Sequence, residues 1–331
     1  MRAMVQDRYG ETLRMAEVAA PVPADDEILV RVRAASLNAR DWHIMRGDPY
    51  VARLMSPIFG RRGPAAPIRG SDVAGVVTAV GRSVTRFAPG DEVFGDVIAH
   101  DGGFAELVCV PESLAQRRPE NLGFEEAATL PLAGQTALLA VREVAPVRPG
   151  HRVLVNGASG GVGTFAVQLA RAYGAEVTGV CSARNADLVS SLGAEVVDYT
   201  REDFTRSGRR YDIVLDLAAS RPLRALRRAV APGGTLVLGG GGNARPGRPS
   251  LIGPVGLVVA GQTVGRLGRT RVVQLNARSE QALLATLREL AEEKTIVPVI
   301  DRAYPFEQTT EALRYLMVEH ARAKVVVTFP A

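Results

Sequence analysis

The stretch Val153-Leu154-Val155-Asn156-Gly157-Ala158-Ser159-Gly160-Gly161-Val162-Gly163 constrains this chain more than any other. A short apolar run ends in a cluster of glycines, and apolar residues at helical spacing (Phe165, Ala166, Leu169, Ala170, Tyr173) follow without a gap. A strand, a tight turn and a helix are the expectation. Glycines let the turn close and let backbone approach a ligand, while the first turn of the helix presents unpaired N–H groups to an anion. That layout suits the pyrophosphate of a dinucleotide, because the pattern stands between a strand and a helix rather than in an arbitrary loop.

Downstream, strands and helices alternate. Strands are expected at 152–156, 176–181, 195–197, 211–217, 235–239 and 271–275, and helices at 161–173, 185–192, 221–230 and 280–293. This reads as a doubly wound parallel sheet, an α/β fold of Rossmann type. Upstream, to about Arg118, the texture differs: short strands such as Glu27–Val32, Val73–Val80 and Glu92–Gly95 are punctuated by turns such as Ala88-Pro89-Gly90-Asp91. A β-rich domain is expected there. Phe124 to Val144 carries apolar residues at helical spacing, with Pro131 breaking or starting a helix. The tail from Glu307 to Phe329 reads as one helix and a closing strand, Lys324–Thr328, returning to the first domain. The chain therefore divides into 1–122 with 277–331, and 123–276. A length of 331 residues fits two domains. The glycine run at 239–242 and the segment after it read as a mobile loop at a strand's carboxyl end.

Other classes are disfavoured. The net charge of +5 invites a nucleic-acid reading, but the only lysines are Lys294 and Lys324, and the arginines are scattered. No apolar segment follows Met1–Asp7, and the longest apolar stretch, near 251–264, is broken by glycines and a proline. Neither a signal peptide nor a membrane span is expected, and the cytoplasm is the expected location. Cys109 and Cys181 each lie in a strand-like run and read as buried free thiols.

An NAD site places an acid at the end of the second strand, for the ribose 2′-OH. Here that strand runs into Cys181-Ser182-Ala183-Arg184-Asn185, and Asp187 falls on the following helix. A hydroxyl residue and an arginine suit a 2′-phosphate, so NADP(H) is expected, with Gly157, Ser159, Gly160, Gly161, Val162 and Gly163 at the pyrophosphate and Ser182 and Arg184 at the 2′-phosphate.

With these features the chain resembles the medium-chain dehydrogenase/reductase superfamily, in its zinc-free quinone oxidoreductase-like branch. Gly70–Gly81 followed by Pro89-Gly90-Asp91-Glu92-Val93 matches the family's N-terminal signature. Further blocks are Leu130–Ala137, Asn156–Gly163 and His320–Val326, so the likeness spans nearly the whole chain. It implies a GroES-like catalytic domain beside a Rossmann domain, with the nicotinamide in a cleft between them. It also implies Tyr199 near the 2′-phosphate, and Asn38, Thr136, Gly239 and Lys324 near the nicotinamide half. Zinc alcohol dehydrogenases carry Cys at the position of Asn38, His-Glu at Ser71-Asp72, a further Cys near Leu132, and a four-cysteine lobe missing here. Only Asp72 remains as a possible metal donor, so no metal is expected.

The expected chemistry is hydride transfer to a quinone or to the β-carbon of an α,β-unsaturated carbonyl, with donors meeting the charge that develops on oxygen. Asn38 is the leading donor. His43 delivers a proton or lines the wall, Tyr50 is a weaker acid candidate, and Trp42 forms an apolar substrate wall or packs in the core. Asp41 reads as structural, paired with a nearby arginine. Two alternatives stand beside this: a dedicated enoyl reductase of a biosynthetic pathway, and an NADPH-binding protein with a mainly non-catalytic role. The strand at 271–275 would be an exposed edge, so a homodimer is expected.

Overall fold

Burial alternates along much of Glu27–Leu37, as an amphipathic strand requires, and this segment is the longest strand of a mostly antiparallel sheet. The computed structural model describes residues 1–240, 270–319 and 321–330, and it separates into two compact units. The first holds Met1–Gln135 and the described residues from Arg278 onward; the second holds the rest. The loop expected beyond Gly240 and the apolar stretch near 251–264 lie outside the described residues.

In the first unit, β1 (Arg2–Val5) and β2 (Arg14–Glu17) form a small antiparallel pair. The strands β3 (Glu27–Leu37), β4 (Asp72–Val80), β5 (Glu92–Asp96), β6 (Leu107–Pro111) and β7 (Ala115–Arg117) form a seven-stranded sheet with two strands from the tail, described below. β3 pairs with β4 on one part of its length and with β6 near its start, which curls the sheet around Ile28, Val30, Val32, Phe94 and Val110. Between β3 and β4 a helix, Ala39–Arg46, begins at Asn38 and ends at Gly47, whose φ of 63° is the left-handed stop that glycine tolerates.

The second unit contains β8 (Arg152–Asn156), β9 (Glu176–Cys181), β10 (Glu195–Asp198), β11 (Tyr211–Asp216), β12 (Val230–Leu238) and β13 (Arg271–Gln274). All neighbours are parallel, in the order β10-β9-β8-β11-β12-β13. Counted within the unit this is 3-2-1-4-5-6, the doubly wound Rossmann arrangement. Helices Gly161–Ala172, Ala186–Ser191 and Leu223–Ala229 cover it, and Leu154, Val180, Val214, Leu226 and Leu236 share one core. The tail returns to the first sheet: β14 (Ile300–Pro305) lies parallel to β15 (Lys324–Thr328), which pairs antiparallel with β3.

Three local differences from the expectation have physical causes. The helix expected at 221–230 stops at Ala229, and β12 starts at Val230; Pro232 cannot continue a helix, and Gly233 at φ 82° bulges the strand until Thr235 falls into register with Ile213. The segment 124–144 is not one helix but Phe124–Ala127 and Gln135–Leu139, with wide π-type turns at Leu130–Gly134 and Ala140–Val144. Pro131 opens the first of these, where a missing N–H is tolerated. Its residues up to Gln135 pack with the first unit, so the division falls at Gln135 rather than near Gly123.

Candidate active site

In the second unit the strand order reverses between β8 and β11, and both strands end there in register, Asn156 opposite Asp216. Ligands of such sheets bind outside the carboxyl ends at this switch point. Gly157 turns the chain at φ 91°, and its N–H and that of Ala158 donate to the Val180 carbonyl at 3.2 and 3.1 Å, tying the turn to β9. A Cβ on Gly163 would stand 2.1 Å from the Gly157 carbonyl oxygen, so only glycine lets helix Gly161–Ala172 start this close to the turn. No side chain caps that helix. Its first N–H groups have no intrahelical partner and carry the positive end of the helix dipole, which together fit a pyrophosphate.

Of the flanking residues expected at the ligand, Ser159, Ser182, Arg184, Tyr199 and Gly239 follow the carboxyl ends of the parallel strands. Ser159 Oγ accepts from Asn185 Nδ2 at 3.0 Å; Ser182 is half-buried at the end of β9; Arg184 is exposed. Tyr199 is exposed, and its N–H donates to the Cys181 carbonyl at 3.1 Å. Gly239 N–H donates to the Asp216 carbonyl at 2.9 Å. Thr136 is buried in the helix Gln135–Leu139.

Two acids here escaped the sequence reading. Asp198 ends β10 in register with Cys181, so a carboxylate does stand beside the tip of β9, delivered by the third strand. Hydrogen bonds from the Thr200 N–H and hydroxyl, at 3.0 and 2.8 Å, hold it ionised below the usual carboxylate range. Asp216 accepts from Asn156 Nδ2 (2.7 Å) and from the N–H of Ala219 (3.1 Å), a residue in the left-handed region at φ 48°. Its other oxygen is buried without a partner, and burial raises its pKa. Pairing across parallel strands was the missing signal, since neither acid lies near the glycines in sequence.

In the first unit a second polar cluster forms where β3 ends, β4 begins and β15 begins. Asn38 Nδ2 donates to Asp72 Oδ2 at 3.0 Å and to Ser71 Oγ at 3.3 Å, and Asn38 Oδ1 accepts from Lys324 Nζ at 2.6 Å. Both amide hydrogens and the amide oxygen are thus committed within the protein. Asp72 also accepts from Ser36 Oγ (2.9 Å) and from the Leu132 N–H (3.1 Å). Lys324 is 2% exposed; its burial lowers its pKa, opposed by Asp72 and Asp41. Positions 38, 71, 72 and 132, scattered in sequence, therefore meet in space.

The remaining candidates lie on the helix that follows or, for Tyr50, in the turn beyond it. Burial holds the His43 imidazole below its ordinary range, against the pull of nearby Asp48, so it is neutral at pH 7. Trp42 is 2% exposed, with the Arg46 guanidinium 5.5 Å from its ring, and so belongs to the core. Tyr50 is exposed, and the Arg53 guanidinium lies 4.4 Å from its ring. Asp41 is not paired with an arginine as expected. It accepts from the Asn38 N–H at 2.8 Å, starting the helix, while Arg40 turns to Asp101 at 2.5 Å. Cys109 and Cys181 are buried free thiols, pushed up to about 11 by burial.

A catalytic zinc takes three protein ligands of the cysteine, histidine or carboxylate kind. The cluster offers one carboxylate, an amide, hydroxyls and an ammonium, and no group of three His, Cys, Asp or Glu that could hold a metal occurs among the described residues. Zinc does not fit this set.

Comparison with known proteins gives the same two-part fold. Residues 24–120 match the family model described as "Alcohol dehydrogenase GroES-like domain", and residues 192–327 match "Zinc-binding dehydrogenase". The "Quinone-oxidoreductase homolog, chloroplastic" of Spinacia oleracea is 32% identical, covering 99% of this chain and 98% of its own. The "2-methylene-furan-3-one reductase" of Solanum lycopersicum is 31% identical over 99% of this chain and 79% of its own. The solved quinone oxidoreductase from Coxiella burnetii superposes with a TM-score of 0.84 at 29% identity, covering 99% of each chain. Fold and sequence converge, and the chain belongs to the medium-chain dehydrogenase/reductase superfamily as an oxidoreductase of its quinone oxidoreductase-like branch.

Proposed function

We propose that the protein is an NADPH-dependent, zinc-independent reductase of quinones or α,β-unsaturated carbonyl compounds. The observation that carries the reading is the uncapped helix Gly161–Ala172 behind the Gly157 turn, with Ser182 and Arg184, and no acid, closing β9. Gly157, Ser159, Gly160, Gly161, Val162 and Gly163 would hold the pyrophosphate, and Ser182, Arg184 and Tyr199 the 2′-phosphate. Bound there, the dinucleotide would supply the hydride. Asp198 opposes a second negative charge, but Thr200 bonds its Oδ1 within their own loop and Arg201 lies 4.0 Å from its Oδ2.

Conjugation makes the acceptor electrophilic without a metal, and the chain's part is to meet charge developing on the carbonyl oxygen. With the Asn38 amide committed to its neighbours, Asn38 acts by position in this reading. His43, neutral at pH 7, donates its N–H or passes a proton on from water. The names of the spinach and tomato relatives support quinone and enone acceptors. Location in the cytoplasm and a homodimer complete the proposal. No helix among the described residues is long and apolar enough to cross a membrane.

The test is steady-state oxidation of NADPH and NADH with a panel of quinones, enones and enoyl thioesters. Turnover with NADPH across quinones and enones is the expected result. Arg184→Ala should raise KM for NADPH about 10-fold or more and leave that for NADH unchanged, as loss of a charged hydrogen bond implies. Activity confined to one enoyl compound would favour the dedicated enoyl reductase. NADPH binding without turnover would favour the non-catalytic role, and failure to bind any dinucleotide would end all three readings.

A further inference from the structure

The polar cluster of the first unit closes around one ammonium group. Lys324 Nζ donates to Asn38 Oδ1 at 2.6 Å and to the Leu37 carbonyl at 3.1 Å, and lies 3.6 Å from Asp72 Oδ2. Asp72 is itself saturated, by Ser36 and Asn38 on one oxygen and by the Leu132 N–H and Ser71 on the other. Carboxylate, amide and carbonyl oxygens around a buried positive charge are the surroundings that a hard cation takes.

We propose that Lys324 is a tethered cation filling an oxygen-lined place that a metal ion could otherwise take: it neutralises Asp72, fixes the orientation of the Asn38 amide and keeps the place closed to metal ions. The orientation follows from the charge. An amide turned the other way would set its NH2 against the ammonium and its oxygen against the Asp72 carboxylate, two repulsions in place of two attractions. Lys324 is thus a positioning residue for Asn38. The inference rests on this geometry, not on the cofactor or substrate, so its test can fail while the proposed activity stands.

The full-length protein is dialysed against Co²⁺ and against Zn²⁺, and bound metal and the visible cobalt spectrum are measured. The expected result is far less than one metal per chain and no cobalt band. Lys324→Ala, which strands a buried carboxylate, should lower Tm by roughly 10 °C. Ethylammonium, small enough to refill the place with the same charge, should recover much of that loss, whereas tetramethylammonium at equal ionic strength should not. Lys324→Met combined with Asp72→Asn removes both charges and frees Asn38 to turn and accept from the new amide, so it should be more stable than either single variant. If Lys324→Ala does not fold, this pair decides: a folded pair upholds the proposal and an equally unfolded one overturns it. Stoichiometric cobalt uptake by the unaltered protein that is lost in Asp72→Asn would also overturn it, as would a Lys324→Ala protein with unchanged Tm or one rescued equally by both amines.

Discussion

Asp41 shows what burial does to a carboxyl that is only half satisfied. One oxygen accepts the Asn38 N–H; the other is buried without a partner, and burial, with Asp101 adding and Arg40 opposing, pushes the group up to about 7. An unfolded aspartate titrates near ~3.9. Between these values the folded chain binds the extra proton, so this residue makes stability fall as pH rises from about 4 to about 7, by up to about 1.4 kcal/mol per pH unit, and leaves it level above. Asp96, also pushed to about 7 by burial and by Asp72, acts with the same sign. Asp41→Asn keeps an acceptor for the Asn38 N–H and removes the titration. Denaturant midpoints between pH 4.5 and 8 should therefore slope less in the variant; an unchanged slope rejects the assignment. At this scale the sequence identified which residues matter more readily than what they do. Asn38 was found through the family pattern, but its committed amide depends on Lys324, which lies nearly the whole chain away, and no spacing rule connects them.

The glycine turn is legible because every interaction it needs is local. Its strand, turn and helix lie within one stretch, and β8, β9 and helix Gly161–Ala172 fall within a residue of where periodicity places them. Helix Ala39–Arg46 was missed although its signals were present: Asn38 before it, Asp41 three residues on, and Gly47 after it. β14, whose burial follows no clean alternation, was missed because it forms only against β15. Within the turn, individual glycines carry different loads, and this can be measured. Gly163→Ala must displace the Gly157 carbonyl, so it should lose about 1–3 kcal/mol of stability together with dinucleotide affinity. At Gly160 the nearest atom to a new Cβ is 3.4 Å away, an ordinary contact. Gly160→Ala should keep its Tm and lose only affinity, by crowding the ligand's approach. Calorimetry and NADPH titration of the two variants separate these effects; equal Tm losses would refute the distinction.

For the whole molecule, two architectures follow from two kinds of patterning, and the parallel sheet leaves one consequence open. Among the described residues β13 is an edge of that sheet, paired only with β12. Leu275 N–H donates to the Leu238 carbonyl, so residues 271, 273 and 275 face β12, while the backbone groups of Val272 and Gln274 point outward. Gln274 Oε1 is also buried without a partner, an uneven arrangement for a surface that stays in water. Exposed strand edges of this kind are paired or covered in natural proteins, and two copies joined edge to edge would extend one sheet through both. Light scattering coupled to gel filtration should then report about twice the 35.2 kDa of one chain. Gln274→Pro removes an outward N–H and leaves the bonds to β12 intact, so it should give monomers that retain the circular dichroism of the folded protein. A protein that elutes at the single-chain mass at every concentration would rule the edge-paired dimer out, and a Gln274→Pro variant that remains dimeric would move the interface elsewhere.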